Sequence, residues 1–291
     1  MGMILPWRFV RQGFVPRVDD FGEVAGRILG IASRERVFKG AAFVGSLARG
    51  DLHHRSDLDL ILVALDRQFD RAQELERYFL RVACTSAVPL DSRLWSASDA
   101  RLGRHVYGPS YLQTFPREET LFSVGVPLGL CFRLPTGSSV QREMVEKLEH
   151  KLRSTRVRAH VFFARQADSN AVESWLLSNW GRVVRPLRVH ITIGRRLLWW
   201  LRGSLESDGK AEVVADFLAE DAFAVLHADY RQLLAIDWEY DELLARAHRP
   251  TQRRDRYLRK VGDLIAENFR VSLRLLSRAV SLIKRATSCA A

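Results

Sequence analysis

Asp57 and Asp59 stand either side of one leucine at the head of an apolar run, Asp57-Leu58-Asp59-Leu60-Ile61-Leu62-Val63. On a β-strand, residues two apart share a face, so both carboxylates project the same way. Carboxylates so placed repel unless a cation lies between them. A hard divalent ion such as Mg²⁺ or Mn²⁺ takes oxygen ligands of this kind together with substrate phosphates. One loop upstream, Gly45-Ser46 closes another apolar run, Ala41 to Val44. Glycine permits a tight turn and close backbone approach. Ser46 stands where the N-cap of a helix through Leu47-Ala48-Arg49 belongs, with unpaired N–H groups and a positive dipole end facing any anion that docks. Phosphate is the natural guest of such a corner. A third acid, Asp91, lies in the short apolar segment Ala87-Val88-Pro89-Leu90-Asp91-Ser92 and joins the pair if that strand lies beside the first.

These residues need a scaffold, and the hydrophobic pattern supplies one. Phe21 to Ser33 reads as a first helix. Arg67 to Ala83, with Leu75, Phe79, Leu80 and Val82 apolar, reads as a crossover helix between the strand at Asp57 and the strand at Asp91. Residues 118 to 135 read as a hairpin centred on Gly125 to Gly129. Pro135-Thr136-Gly137-Ser138-Ser139 is a breaker and cap cluster. Beyond it, apolar residues recur at helical spacing over Ser139–Gln166, Ala171–Gly203, Ala211–Ala235 and Arg253–Ala286, with Pro186 dividing the second. The expected fold is α+β: a small mixed sheet in a catalytic domain over residues 1–137, then a basic α-helical bundle over 138–291.

Gly45-Ser46-Leu47-Ala48-Arg49-Gly50 and Ser56-Asp57-Leu58-Asp59 resemble the motifs of the polymerase-β-like nucleotidyltransferase superfamily, in particular its minimal, stand-alone type. The resemblance spans about residues 20 to 110. It implies a metal-dependent enzyme that moves a nucleoside monophosphate from a nucleoside triphosphate to an acceptor and releases pyrophosphate. It also implies that Ser46, with Gly45, Arg49 and Ser56 nearby, contacts the triphosphate. Asp57 and Asp59 would bind two ions, and Asp91 would ligate the acceptor-side ion and receive the proton of the attacking hydroxyl. His53 and His54 have no Cys or His partners at zinc spacing and read as loop residues. Asp51 reads as a turn residue.

Charge bears on the acceptor. The chain has 291 residues and a net charge of +11. Residues 1–137 carry +3 and residues 138–291 carry +8, yet residues 203–245 alone carry −9. Arg153, Arg156 and Arg158 lie along one expected helix; Arg253, Arg256 and Lys260 open another. Packed as neighbours, such helices form a stripe for a phosphate backbone. A basic bundle suits RNA and repels polycationic antibiotics. A minimal transferase joined to a basic helical domain is similar to the toxins of toxin–antitoxin and abortive-infection systems that add nucleotides to the tRNA acceptor end, which brings an antitoxin or other partner protein into view. Lys147, Lys151 and Lys210 do not align clearly with the lysine those toxins use in their C-terminal part. Arg153 with His160 and Arg185 with His190 superficially resemble the ribonuclease motif of HEPN helical domains, a spacing that an arginine-rich chain produces by chance.

Three readings stand at this point: transfer to an RNA 3′ end, transfer to a small molecule or protein, and a non-catalytic nucleotide-binding module of the same fold. Salt-dependent RNA binding separates the first from the second, and pyrophosphate release separates both from the third. Three dispersed cysteines, Cys84, Cys131 and Cys289, suggest no disulfide framework and point to a reducing cytoplasm. The longest uncharged apolar run, Leu121 to Phe132, is too short to span a bilayer, and the N-terminal segment, broken by Arg8 and Arg11, does not read as a signal peptide.

Overall fold

A computed structural model describes residues 16–53, 56–104, 122–132, 140–166, 168–178, 189–203, 209–247 and 253–289. The chain divides by its contacts into two units, Phe14–Ser138 and a second that contains Ser139–Ala291. The first holds, among the described residues, a four-stranded sheet, and the second is helical, so the fold is α+β.

In the first unit α1 (Val18–Glu35) places Phe21, Val24, Ala25, Ile28, Leu29 and Ala32 on one buried face, the spacing of an amphipathic helix. Its start is fixed by Asp20, whose carboxylate accepts the Arg17 N–H at 2.6 Å. The strands β1 (Phe38–Val44), β2 (Leu58–Ala64), β3 (Leu90–Ser96) and β4 (Ser123–Gly125) lie in the order β3-β2-β1-β4. β1 is antiparallel to β2 and β4, while β2 and β3 are parallel. The parallel pair requires a crossover, which α2 (Phe69–Thr85) provides, entered through a short 3₁₀ turn at Asp66–Gln68.

The period of two sorts the strand residues cleanly. Leu58, Leu60 and Leu62 of β2, Phe43 of β1 and Leu90 of β3 join Phe21, Ile28, Leu75 and Phe79 in the main core beneath α1 and α2. Ser92 points the same way and donates to Glu76 of α2 at 2.8 Å. The opposite face carries Ala42, Val44, Ile61 and Val63, covered by α3 (Ala97–Leu102) and α4 (Leu128–Cys131) through Ala97, Ala100, Leu128 and Cys131. Of the expected hairpin over 118 to 135, residues 122–132 are described, and a helix stands among them where the second strand was expected. Ser123–Gly125 pairs with β1, and the chain then turns into α4. Gly125, at φ +78°, lies against the Lys39 carbonyl, a position with no room for a side chain. Pro135 to Ser139 lie outside the described residues.

In the second unit come α5 (Val140–Phe163), α6 (Ser169–Ser178), α7 (Val189–Arg202), α8 (Lys210–Ala219), α9 (His227–Ala247) and α10 (Arg254–Cys289). Of residues 171–203, α6 and α7 are described; Pro186, where the sequence places a division, lies outside the described residues, as does Arg185. The expected single helix over Ala211–Ala235 is instead two, split at Glu220 by a 3₁₀ turn over Asp221–Leu226, and the second runs on to Ala247. An aromatic cluster holds this corner: Phe217 stacks on Phe223 at 5.2 Å and on Tyr230 at 4.1 Å. α5 and α10 are antiparallel neighbours, because Lys284 pairs with Glu149 at 2.6 Å while Phe269 meets Phe162 at 5.7 Å. No described helix is long and apolar enough to cross a membrane.

Candidate metal centre

The centre is built by register. In the parallel β2–β3 pair Asp59 lies opposite Asp91, and Ile61 lies opposite Arg93. Both acids therefore occupy the same face of adjacent strands, the face opposite α1 and α2. Asp57, immediately before β2, shares that direction by alternation. Its neighbour Leu58 donates its N–H to the Pro89 carbonyl at 2.8 Å, so the proline that precedes β3 serves the ladder as an acceptor. Carboxylate oxygens of Asp57, Asp59 and Asp91 all lie within 4.8 Å of one another. Asp57 is 2% exposed, and the Asp91 side chain is 26% exposed. At that separation two like charges repel by about 3 kcal/mol at an effective dielectric of about 20. A divalent cation relieves this repulsion, and oxygen-only donors suit Mg²⁺ or Mn²⁺ better than softer metals.

Gly45 closes the cradle. Its φ is +76°, and a Cβ there would lie 2.5 Å from Asp59 Oδ2. Only glycine satisfies both the left-handed backbone and the approach of the carboxylate. The residues that follow form one turn and not the regular helix the sequence suggested: Arg49 N–H donates to Gly45 O at 3.1 Å and Asp51 N–H to Ser46 O at 3.0 Å. Gly50, at φ +71°, ends it. The anion-binding potential of this corner rests on N–H groups of a single turn, without a long helix dipole behind them.

The remaining site residues divide by what they already touch. Ser46 is 3% exposed, enclosed in the turn. The Ser56 hydroxyl oxygen accepts the His53 N–H at 2.9 Å, so it caps the loop that leads into β2. Arg49 Nε lies 3.7 Å from the Asp51 carboxylate, which uses its charge within the turn. His54 lies outside the described residues. One neighbour went unremarked in the sequence: Arg93, two residues after Asp91 and on the same face, whose Nη2 is 3.3 Å from Asp91 Oδ1. The alternation Asp91-x-Arg93 was the available signal.

The basic residues of the helical unit are less concentrated than the sequence suggests. α5 and α10 are neighbours, but their antiparallel packing sets Arg156 beside the region of Leu276, about 20 residues and about 30 Å along α10 from Arg256. Arg253 and Arg256 sit at one end of the pair, and Arg153, Arg156 and Arg158 nearer its middle. Arg153 pairs with Glu149 at 3.8 Å and Lys260 with Glu239 at 2.5 Å. Arg156, Arg253 and Arg256 are exposed, and no described acid pairs with them; Arg158 is half-buried. Asp229 of α9 receives Arg274 at 3.2 Å and Arg278 at 2.9 Å. The acidic segment thus neutralises part of the basic helix it packs on. His190 is 1% exposed and meets Tyr230 edge-on, the setting of a core histidine.

Comparison of the chain with protein-family models and with the curated proteins finds no match.

Proposed function

We propose that the chain is a metal-dependent nucleotidyltransferase that joins the nucleoside monophosphate of a nucleoside triphosphate to an acceptor hydroxyl, with release of pyrophosphate. The acceptor in this proposal is the 3′ end of an RNA, a tRNA in particular. The observation that carries the chemistry is the strand register that sets Asp59 beside Asp91, with Asp57 within reach and the Gly45-Ser46 turn against Asp59. Mg²⁺ or Mn²⁺ bound by the three acids would offset their charge and that of the triphosphate, and would make the acceptor hydroxyl more acidic.

Each residue has a part in this reading. N–H groups of the turn, with Ser46, hold the terminal phosphates. Asp57 and Asp59 supply oxygen ligands from one strand. Asp91, the partly exposed member on the neighbouring strand, takes the proton of the attacking hydroxyl. The hydroxyl oxygen bonds to the α-phosphorus as the bond to pyrophosphate breaks. Arg49 exchanges Asp51 for a phosphate oxygen when the triphosphate arrives. Arg156, Arg253 and Arg256 offer exposed guanidinium groups to an RNA backbone. A cytoplasmic setting and a neutralising antitoxin belong to the same proposal.

Incubation of the protein with each labelled triphosphate, Mg²⁺ or Mn²⁺, and total RNA tests it on one gel. Label on an RNA band is the expected result. Absence of both transfer and pyrophosphate release with all four triphosphates refutes catalysis and leaves the nucleotide-binding module. A second reading, transfer to a small molecule or to a partner protein, draws support from the pairing of Lys260, Arg274 and Arg278 with acids of α9, which reduces the charge available to RNA. Label on a protein band, or pyrophosphate release without labelled RNA, would favour it.

A further inference from the structure

Among the described residues β3 is an edge strand of the sheet. Its alternate residues Asp91, Arg93 and Trp95 lie on the carboxylate face, opposite Asp59, Ile61 and Val63 of β2. Ser92 and Leu94 turn to the other face, where Ser92 is tied to α2 and Leu94 packs on the main core. One side is committed to the main core; on the other, a path leads from the acidic triad to Trp95, which packs against the second apolar cluster. Arg93 is the first residue on that path. Its side chain is 54% exposed, and the Ile61 opposite it has no charge to offer.

A guanidinium 3.3 Å from one ligand oxygen of a metal centre has a definite effect on that centre. It neutralises Asp91 while the centre is empty of cations, and it opposes a divalent ion by like-charge repulsion. When the carboxylate turns to a cation, the guanidinium needs a new anion. The anion that a nucleotide-joining site brings to this edge is a phosphate of the acceptor strand.

We infer that Arg93 is a two-position residue: a counter-cation for Asp91 in the metal-free protein, and a clamp on a backbone phosphate of a nucleic-acid acceptor in the loaded one. The inference rests on the reading of the triad as a metal centre, and it makes the acceptor an oligonucleotide in place of a free nucleoside or a sugar. Arg93 is a positioning residue here; the proton and the transferred group remain with Asp91 and the triphosphate.

The test uses the full chain and the variants Arg93→Ala, Arg93→Gln and Arg93→Lys. Isothermal titration with Mn²⁺ alone should give tighter binding for Arg93→Ala and Arg93→Gln, by about two- to five-fold, with the gain shrinking as salt screens the charge. Binding of a short single-stranded oligoribonucleotide in the presence of Mn²⁺ should weaken in the same variants. The slope of log affinity against log salt should fall by about 0.7, the contribution of one phosphate on a single strand, and Arg93→Lys should restore it. Unchanged Mn²⁺ affinity in both neutral variants overturns the counter-cation role, and an unchanged salt slope overturns the clamp. Wild-type protein that binds no Mn²⁺ overturns the metal-centre reading itself, a result distinct from either.

Discussion

Replacing Gly45 by alanine separates two effects that meet at one backbone position, and a second glycine in the same turn supplies the control. Gly45 and Gly50 have φ of +76° and +71°, so alanine at either adopts a left-handed conformation that costs about 1–2 kcal/mol. Their surroundings differ. A Cβ at Gly50 meets nothing within 4 Å, whereas a Cβ at Gly45 lies 2.5 Å from Asp59 Oδ2. Restoring an ordinary contact of about 3.5 Å moves that oxygen by about 1 Å. Functional groups must sit within about 0.5 Å of their working geometry. Both variants should therefore lose about 1–2 kcal/mol of stability in urea titrations without metal, with Gly45→Ala at or beyond the upper end. Only Gly45→Ala should lose Mn²⁺ affinity, by about 10- to 100-fold, the range seen when the support of a ligand is disturbed. Isothermal titration reads the affinity, and the midpoint shift on adding Mn²⁺ reads it again through linkage. Equal affinity for Gly45→Ala and Gly50→Ala would refute the claim that Gly45 shapes the centre.

Asp59→Asn should raise stability without metal by up to about 3 kcal/mol, since one of the clustered charges is gone. It should also abolish the stabilisation by Mn²⁺ and all nucleotide transfer; a metal-free variant less stable than wild type would argue against repulsion in the triad. Asp229→Asn removes the charge that Arg274 and Arg278 share and turns one of its two acceptor oxygens into a donor, and should lower the stability of the helical unit by about 1–3 kcal/mol, read from the urea midpoint. Glu149 carries a pH signature. The Lys284 ammonium that donates to it holds its carboxyl below the ordinary value, so the pair contributes stability above the unfolded carboxylate range and loses it as pH falls through the lowered folded value. Glu149→Gln should lower the melting temperature at neutral pH and flatten its fall on acidification; an identical acid limb would exclude the pair from that transition.

The legible parts of the chain are those whose signal is local. Asp57 and Asp59 declare their shared face by alternation, and α1, α2 and α10 declare theirs by helical spacing. The pairing of Asp59 with Asp91 is different in kind, because register between strands on either side of a helix is settled by packing beneath the sheet. β4 has only three residues, too few for a pattern, and Gly125 resembles a hairpin turn until the Lys39 carbonyl against it explains the glycine. The split between α8 and α9 has no glycine or proline to announce it; stacked aromatic rings hold the corner. The segregation of charge was visible in the sequence. Its partial cancellation was not, because it depends on α9 lying beside α10.

The parallel β2–β3 pair also sets the order in which this protein acquires its chemistry. During synthesis the Gly45 turn, Asp57 and Asp59 emerge first, and the third carboxylate follows only after the whole of α2 has been made. Parallel pairing further requires a crossover long enough to bring β3 back beside β2, which α2 supplies. A nascent chain therefore holds two acids and the Gly45 turn before the third carboxylate of the candidate centre exists. Any reaction that needs all three carboxylates is deferred until the sheet has closed.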